Sequence, residues 1–549
     1  MNNVLKINEE DNAVVALTDL NAGDTVNVAG EDIVIQEKIA AKHKFAFVDL
    51  KLGDRVIMYG VLVGKCTSDI KKGGLLSTVN IAHAASDYTI GDRKLNWNKP
   101  DVTKWQSKTF NGFHRADGSV GTANHWLVIP MVFCENRNVE VLQQALVDQL
   151  GYGKNNGYRN QANAIIDLYK RGTSVEEILN AEIKVDLEKQ RSERLFPNVD
   201  GIKFLTHEGG CGGTRQDAQA LCGLLAGYIT HANVAGATVL SLGCQNAQVS
   251  ILKEEILKRT PGFDKPLFVL DQQETGSEAD LLSEAIKQTF AGLMKANENV
   301  RQPAPLSKLC IGLECGGSDG FSGISANPAI GYTSDLLVTL GGSVILAEFP
   351  ELCGVEQNLS DRCVTVNDAE RFNSLITTYS QKADAVGSGF YMNPSPGNIK
   401  DGLITDAIKS AGAAKKGGTS PVTAVLDYPE KVSKPGLNLL CTPGNDVEST
   451  TAEVAAGANI VLFTTGLGTP TGNPIAPVVK IATNTKLFNR MHDIMDINTG
   501  TIIDGEETIK DAGERILDYV IKVASGEIEV AAVRHDQNDF IPWKRGISL

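Results

Sequence analysis

The side chains best suited to chemistry gather in a few short, glycine-rich tracts. Two of them, Glu314-Cys315-Gly316-Gly317-Ser318-Asp319-Gly320 and Glu348-Phe349-Pro350-Glu351-Leu352-Cys353-Gly354, bring four carboxylates next to turns. One acid at the end of an apolar run is ordinarily solvated surface. As a group, Glu314, Asp319, Glu348 and Glu351 fit oxygen ligation of a divalent cation or acid and base work. A third tract is His207-Glu208-Gly209-Gly210-Cys211-Gly212-Gly213-Thr214-Arg215. Its glycines let backbone N–H groups reach an anion, Arg215 can fork onto a carboxylate, and His207 and Cys211 can hold a metal or move protons. The plainer alternative is a tight turn with a structural cysteine.

Cys244, in Gly243-Cys244-Gln245-Asn246, sits just past an apolar run, as Cys315 and Cys353 do. If these runs are neighbouring strands, the three thiols converge with Cys211 on a thiolate site for a soft or borderline metal, iron being the natural one in a reducing compartment. An iron–sulfur cluster is the other arrangement such thiols allow. The competing reading is buried reduced cysteine packing as a small hydrophobe, which suits Cys66, Cys222, Cys310 and Cys363 better. Asp446 and Glu448, after Cys441-Thr442-Pro443-Gly444-Asn445, fit a metal or the acid-favouring first turn of a helix. His43-Lys44 fits a lid over the site or an exposed charged pair.

The elements that must carry these tracts follow from the apolar pattern. Strand-like runs at Trp126 to Pro130, Gly201 to Thr206, Ala237 to Leu242 and Pro266 to Leu270 alternate with helical patterns at Asn136 to Leu150, Gln161 to Lys170, Val175 to Glu188, Gln216 to His231 and Gly276 to Asn297. Strand patterns at Leu309 to Leu313, Ser343 to Leu346, Leu437 to Leu440, Ile460 to Phe463 and Val478 to Ala482 repeat the scheme, with a helix predicted at Pro328 to Leu340. Alternation of this kind predicts parallel sheets with crossover helices, which bind ligands at the carboxyl ends of their strands. The tracts sit at those ends. Arg301-Gln302-Pro303-Ala304-Pro305 reads as a connector, and residues 1–88 read as a small all-β module of short runs separated by Gly-Asp turns.

With 549 residues, two or three domains are expected. The boundaries are placed at 1–88, an extended linker 89–110, a middle α/β domain 111–300 and a C-terminal α/β domain 301–549. A formal net charge of −14 argues against nucleic acid, but not against a small anion, for which a few local cations suffice. No stretch approaches the ~18–20 apolar residues of a membrane span. The first residues lack a secretory pattern, so the cytoplasm is expected.

The tracts above, together with Asn111-Gly112-Phe113-His114-Arg115-Ala116-Asp117-Gly118-Ser119-Val120-Gly121-Thr122, resemble the altronate dehydratase family, which includes galactarate dehydratases and sulfolactate sulfo-lyases. The resemblance runs in order over nearly the whole chain. It implies an α/β main body of parallel sheets with Rossmann-like crossovers behind an N-terminal β-clip (SAF) domain, and dehydration of a sugar acid, D-altronate first. It further implies a divalent metal, Fe2+ or alternatively Mn2+, and a homodimer through the middle domain. Galactarate or sulfolactate chemistry, or non-catalytic sugar-acid binding, are the alternatives.

On this reading Cys211, Cys244, Glu314, Cys315, Cys353, Asp446 and Glu448 lie near the metal. His207, Arg215, Asp319, Glu348 and Glu351 are the catalytic candidates, with His207 as acid or base and Arg215 as carboxylate clamp. His43, Lys44, Gly212, Gly213, Thr214 and Ser318 line the substrate. One departure stands out. Where many relatives carry His-x-His-Asn near the end of the SAF domain, this chain has Ser77-Thr78-Val79-Asn80, so no role is carried over for that pair.

Overall fold

Gly-Asp turns chop the first part of the chain into nine short strands. Gly23 and Gly53 take the left-handed φ of +89° and +88° that such turns need. Asp24 and Asp54 close the same turns by accepting amide hydrogen bonds at 2.7 Å. The computed structural model describes residues 3–153, 157–184 and 193–548. Within 3–88 the nine strands form small antiparallel sheets, with no helix. The segment 83–108 then runs without helix or strand. It lies as a strap along the C-terminal domain, with Thr89 bonded to Gln357, Lys94 paired with Asp361 and the Trp105 indole donating to Asp518 at 2.9 Å.

The middle domain holds a four-stranded parallel sheet in the order Gly201–Phe204, His125–Pro130, Val234–Ser241, Leu267–Asp271. Val234–Ser241 is buried along its whole length, as expected of a parallel strand covered on both faces by crossover helices. Arg301–Pro305 is no connector. It is an edge strand pairing antiparallel with Thr109–His114, the position where prolines, which cannot donate to a ladder, are tolerated. Of the helix expected at Val175 to Glu188, only Val175–Leu179 forms, and 185–188 lie outside the described residues.

The C-terminal domain is built on seven parallel strands in the order Val422–Leu426, Gly436–Leu440, Ser343–Leu346, Cys310–Cys315, Ile460–Thr465, Val478–Ala482, Ile497–Asn498. The first strand in sequence is central, its successor lies on one side, and the chain later crosses to the other. The order therefore reverses at Cys310–Cys315, where open parallel sheets leave a crevice for ligands. This strand runs two residues past Leu313, so Glu314 and Cys315 belong to it and not to the turn, opposite Phe463 and Thr464. Among the described residues no helix is long and apolar enough to cross a membrane.

Candidate active site

Three neighbouring strand ends converge at the reversal point. Cys310–Cys315 delivers Glu314 and Cys315. Ser343–Leu346 leads to Glu348 and a 3-10 turn, Phe349–Leu352, that carries Glu351. Gly436–Leu440 leads to Thr442. Glu348 takes a left-handed backbone, φ 62° and ψ 58°, a conformation that disfavours any side chain by about 1–3 kcal/mol and persists only where its surroundings enforce it. Here Thr442 does so: its hydroxyl accepts from the Glu348 amide at 2.8 Å and its carbonyl from the Phe349 amide at 3.2 Å.

Two lysines absent from the sequence-based list complete the core of the site. Lys416, in the 3-10 turn Ala414–Gly417, lies 2.5 Å from Glu348 Oε2 and donates to Cys315 Sγ at 3.0 Å. Lys409, on the helix Asp406–Ala413, lies 2.6 Å from Glu351 Oε1 and donates to Asn393 at 3.0 Å. The Cys315 thiol stands 3.2 Å from Glu351 Oε2 and 3.7 Å from Glu348 Oε2. Glu348, Cys315, Glu314 and Lys416 are almost completely shielded from solvent.

Burial decides the ionisation. Glu314 is pushed well above the usual carboxylate range by burial, then by Glu348 and Glu453, so it keeps its proton and shares a carboxyl–carboxylate hydrogen bond with Glu348, no other partner for its oxygens standing among the described residues. Burial and the charge of Glu351 also raise Glu348, against the pull of Lys416 and of the bond from Glu314. Burial works the same way on Glu351, but Lys409 and Lys416 outweigh it and hold this carboxyl low. Burial and the flanking carboxylates keep Cys315 a thiol. Asp446 is raised to about 7 by burial, Glu348 and Glu351. Lys480 is lowered to about 7 by burial, against the pull of Asp446, and its amine stands 3.7 Å over the Phe463 ring without a hydrogen-bond acceptor among the described residues. Five buried carboxyl groups (Glu314, Glu348, Glu351, Asp406, Glu453) and the half-buried Asp446 thus face three lysines, Lys409, Lys416 and Lys480. Protons or a cation must take up the surplus.

Cys315, Glu348 and Glu351 are the group among the described residues whose donor atoms all lie within 4.8 Å of one another. One thiol and two carboxylates at that spacing, with Glu314 against Glu348 beside them, fit a divalent cation of intermediate softness. Of the other residues expected near a metal, Asp446 faces this cluster, while Glu448 occupies the first helical turn on the side of Tyr379 and Tyr428. Cys353 sits against Asp406.

Asp319 is not free to bind a hydroxyl. Its oxygens are occupied by the Phe321 amide, Ser322, Thr483, Asn484 and Lys42, the last at 3.0 Å. It is the joint to the N-terminal domain. His43 and Lys44 serve the same joint: the His43 ring bonds the Lys400 carbonyl at 3.0 Å, and buried Lys44 donates to the carbonyls of Lys42 and Gly402. Ser318, with Tyr59 of the N-terminal domain, Cys315 and Lys409, lines a cavity of ≈10 Å3. The turn at Ser77-Thr78-Val79-Asn80 is closed by its own Asn80, and Val79 points to solvent at 87% exposure.

The four cysteines expected to converge divide between two sheets. Cys211 and Cys244 are exposed at the middle-domain strand ends, apart from Cys315 and Cys353. His207 is buried there, its Nε2 on the Pro130 carbonyl at 2.8 Å and its Nδ1 accepting from the Gly209 amide at 3.0 Å. Both ring nitrogens are used by the backbone, so His207 shapes the loop and is not placed to move substrate protons. Thr214 caps the helix Arg215–Thr230, Gly213 bridges to Ser548, and Gly212 holds a left-handed turn. Arg215 bonds Asn246 and opens onto a separate cleft of ≈1460 Å3 shared with Arg259, Arg371 and Arg545.

Residues 2–84 match the altronate/galactarate dehydratase SAF domain, 112–297 the second domain of D-galactarate dehydratase/altronate hydrolase, and 306–548 the C-terminal domain of D-galactarate/altronate dehydratase. The altronate dehydratase of Bacillus subtilis strain 168 is 33% identical over 100% of both chains. The chain belongs to the galactarate/altronate dehydratase family. Further members with which it aligns are the altronate dehydratase of Escherichia coli strain K12, 32% identical over 99% of both chains, and the galactarate dehydratase (L-threo-forming) of the same organism, 30% identical over 95% of this chain and 93% of that one. This dehydratase-family chain is a lyase, and its SAF domain is the one docked through Lys42, His43 and Lys44.

Proposed function

We propose that the chain removes water from D-altronate, giving 2-dehydro-3-deoxy-D-gluconate, at the strand ends around Cys315. The full-length identity to two altronate dehydratases supports the choice of acid. The observation that carries the choice of place is the buried Glu314 carboxyl, held protonated against Glu348 and within the same cluster as two fixed ammonium groups.

The reaction must take a poorly acidic proton from the carbon next to a carboxylate and expel the neighbouring hydroxyl. Lys409 and Lys416, held charged by the carboxylates they touch, offset the negative charge that grows on the substrate carboxylate as its α-proton leaves. Asp446 and Lys480, both shifted to about 7, are the groups able to accept that proton near neutrality. As the C–H pair forms the new C=C bond, the C–O bond breaks, and the proton on Glu314 leaves with the hydroxyl as water. The enol then becomes the ketone. A divalent cation held by Cys315, Glu348 and Glu351, Fe2+ or Mn2+, would add Lewis acidity toward the substrate oxygens.

The test is to incubate reduced, Fe2+-loaded protein with D-altronate, galactarate and sulfolactate, and to assay for 2-keto-3-deoxy acids and sulfite. D-altronate is expected to turn over fastest. Faster conversion of either competitor reassigns the substrate, and binding without turnover of any of them sinks the enzymatic reading.

A further inference from the structure

Cysteine is among the residues most often found buried. Of the ten here, three are exposed: Cys134, Cys211 and Cys244. All three lie in the same place. Each occupies the loop that follows one of three adjacent parallel strands, His125–Pro130, Gly201–Phe204 and Val234–Ser241, with His125–Pro130 in the middle. Nothing in the sequence around Cys134 marks a motif.

The loops are locked to one another. The Phe133 amide donates to the Gly209 carbonyl at 3.1 Å, and the Ala247 amide donates to the Gly210 carbonyl at 3.1 Å. The Asn136 side chain donates to the His207 carbonyl at 2.9 Å. Gly210, at φ +97°, has no room for a side chain, since a Cβ there would stand 2.3 Å from the Met131 carbonyl oxygen. The His207 ring, bonded to Pro130 and Gly209, ties the base of one loop to the end of the central strand. This scaffolding presents three thiols on one platform without burying them.

We infer that Cys134, Cys211 and Cys244 ligate an iron–sulfur cluster at the carboxyl end of the middle-domain sheet. Thiolates are the ligands such clusters take. A single ion is less well matched, because the three sulfurs are not among the groups whose donor atoms fall within 4.8 Å of each other, whereas a cluster spans a wider ligand set. Assembly is ligand exchange with no redox step by the protein: each thiol releases its proton to solvent as its sulfur bonds iron. Three protein thiolates leave one coordination position for a non-cysteine ligand. The site is independent of the cation proposed at Cys315.

The experiment is anaerobic reconstitution of the full chain with ferric and ferrous iron, sulfide and a thiol reductant. Bound iron and acid-labile sulfide are then measured with the thiolate-to-iron absorbance. Wild type is expected to retain both iron and sulfide, and Cys134→Ser, Cys211→Ser and Cys244→Ser each to lose most of the sulfide while keeping the wild-type circular dichroism, since the replaced side chains are exposed. Cys315→Ser should keep the wild-type sulfide content. Iron uptake without sulfide in wild type, or unchanged sulfide in the three loop variants, overturns the assignment.

Discussion

The two sets of strand ends use one architectural device to opposite effect. At the C-terminal sheet, acids, lysines and a thiol are taken out of water, so every group must pair, share a proton or shift. At the middle sheet three thiols and Arg215 stay exposed, and the buried His207 and Glu135 are satisfied by backbone and by Asn138. Depth of burial, more than residue type, separates a site tuned for proton transfer from one suited to holding a ligand.

The largest test of that contrast is Lys416→Ala. Removing one partner of a buried pair leaves Glu348 uncompensated, and a loss of about 3–5 kcal/mol is expected in a urea midpoint measurement, with loss of turnover. Arg215→Ala, on the wet side, should move the midpoint by under ~0.5 kcal/mol. Equal effects would erase the distinction.

A second test uses pH, on chelator-treated protein. Asp446 has its carboxyl raised from 3.8 to about 7 in the fold. Between those values the folded state holds a proton the unfolded chain has lost, so this group's contribution is full below 3.8 and disappears as pH rises through about 7. Lys480, lowered from 10.5 to about 7, acts in the other direction: its contribution is present above 10.5 and is lost as pH falls through about 7. Asp446→Asn should flatten the acid-side slope of stability and Lys480→Met the alkaline-side slope, read from melting temperature against pH. Swapped or unchanged slopes would contradict the ionisation described here.

The smallest expected effect is at the joint. Lys42→Ala removes one of five partners of Asp319, and should cost about 1 kcal/mol or less. Hydrogen exchange is expected to quicken in residues 1–88 while the C-terminal sheet stays protected.

Much of this was legible in the amino-acid order. The strand ends carrying Glu314, Glu348 and His207 follow from apolar runs that stop at glycine turns, and Ser343–Leu346 forms where its pattern places it. Lys409 and Lys416 were missed because no local pattern pairs them with acids far away in the chain. Their one signal is a run of Ala, Ser and Gly from Lys409 to Gly418 that carries three lysines, Lys409, Lys415 and Lys416, and a lysine inside the apolar strand Val478–Ala482 is the parallel signal for Lys480. His207 and Asp319 misled for the opposite reason: sequence shows a reactive type, and only coordinates show that backbone and neighbours have already used its atoms.

The ≈10 Å3 hollow beside Cys315 has a kinetic consequence. Such a space holds about one water, so the dehydration proposed at these strand ends requires the surrounding side chains to open before a sugar acid binds. Apparent affinity would then be intrinsic affinity scaled by the open fraction, and Tyr59 in the lining, with the domain contacts Lys42 to Asp319 and the Thr405 hydroxyl to the Val63 carbonyl at 2.8 Å, are the contacts whose loosening would raise it.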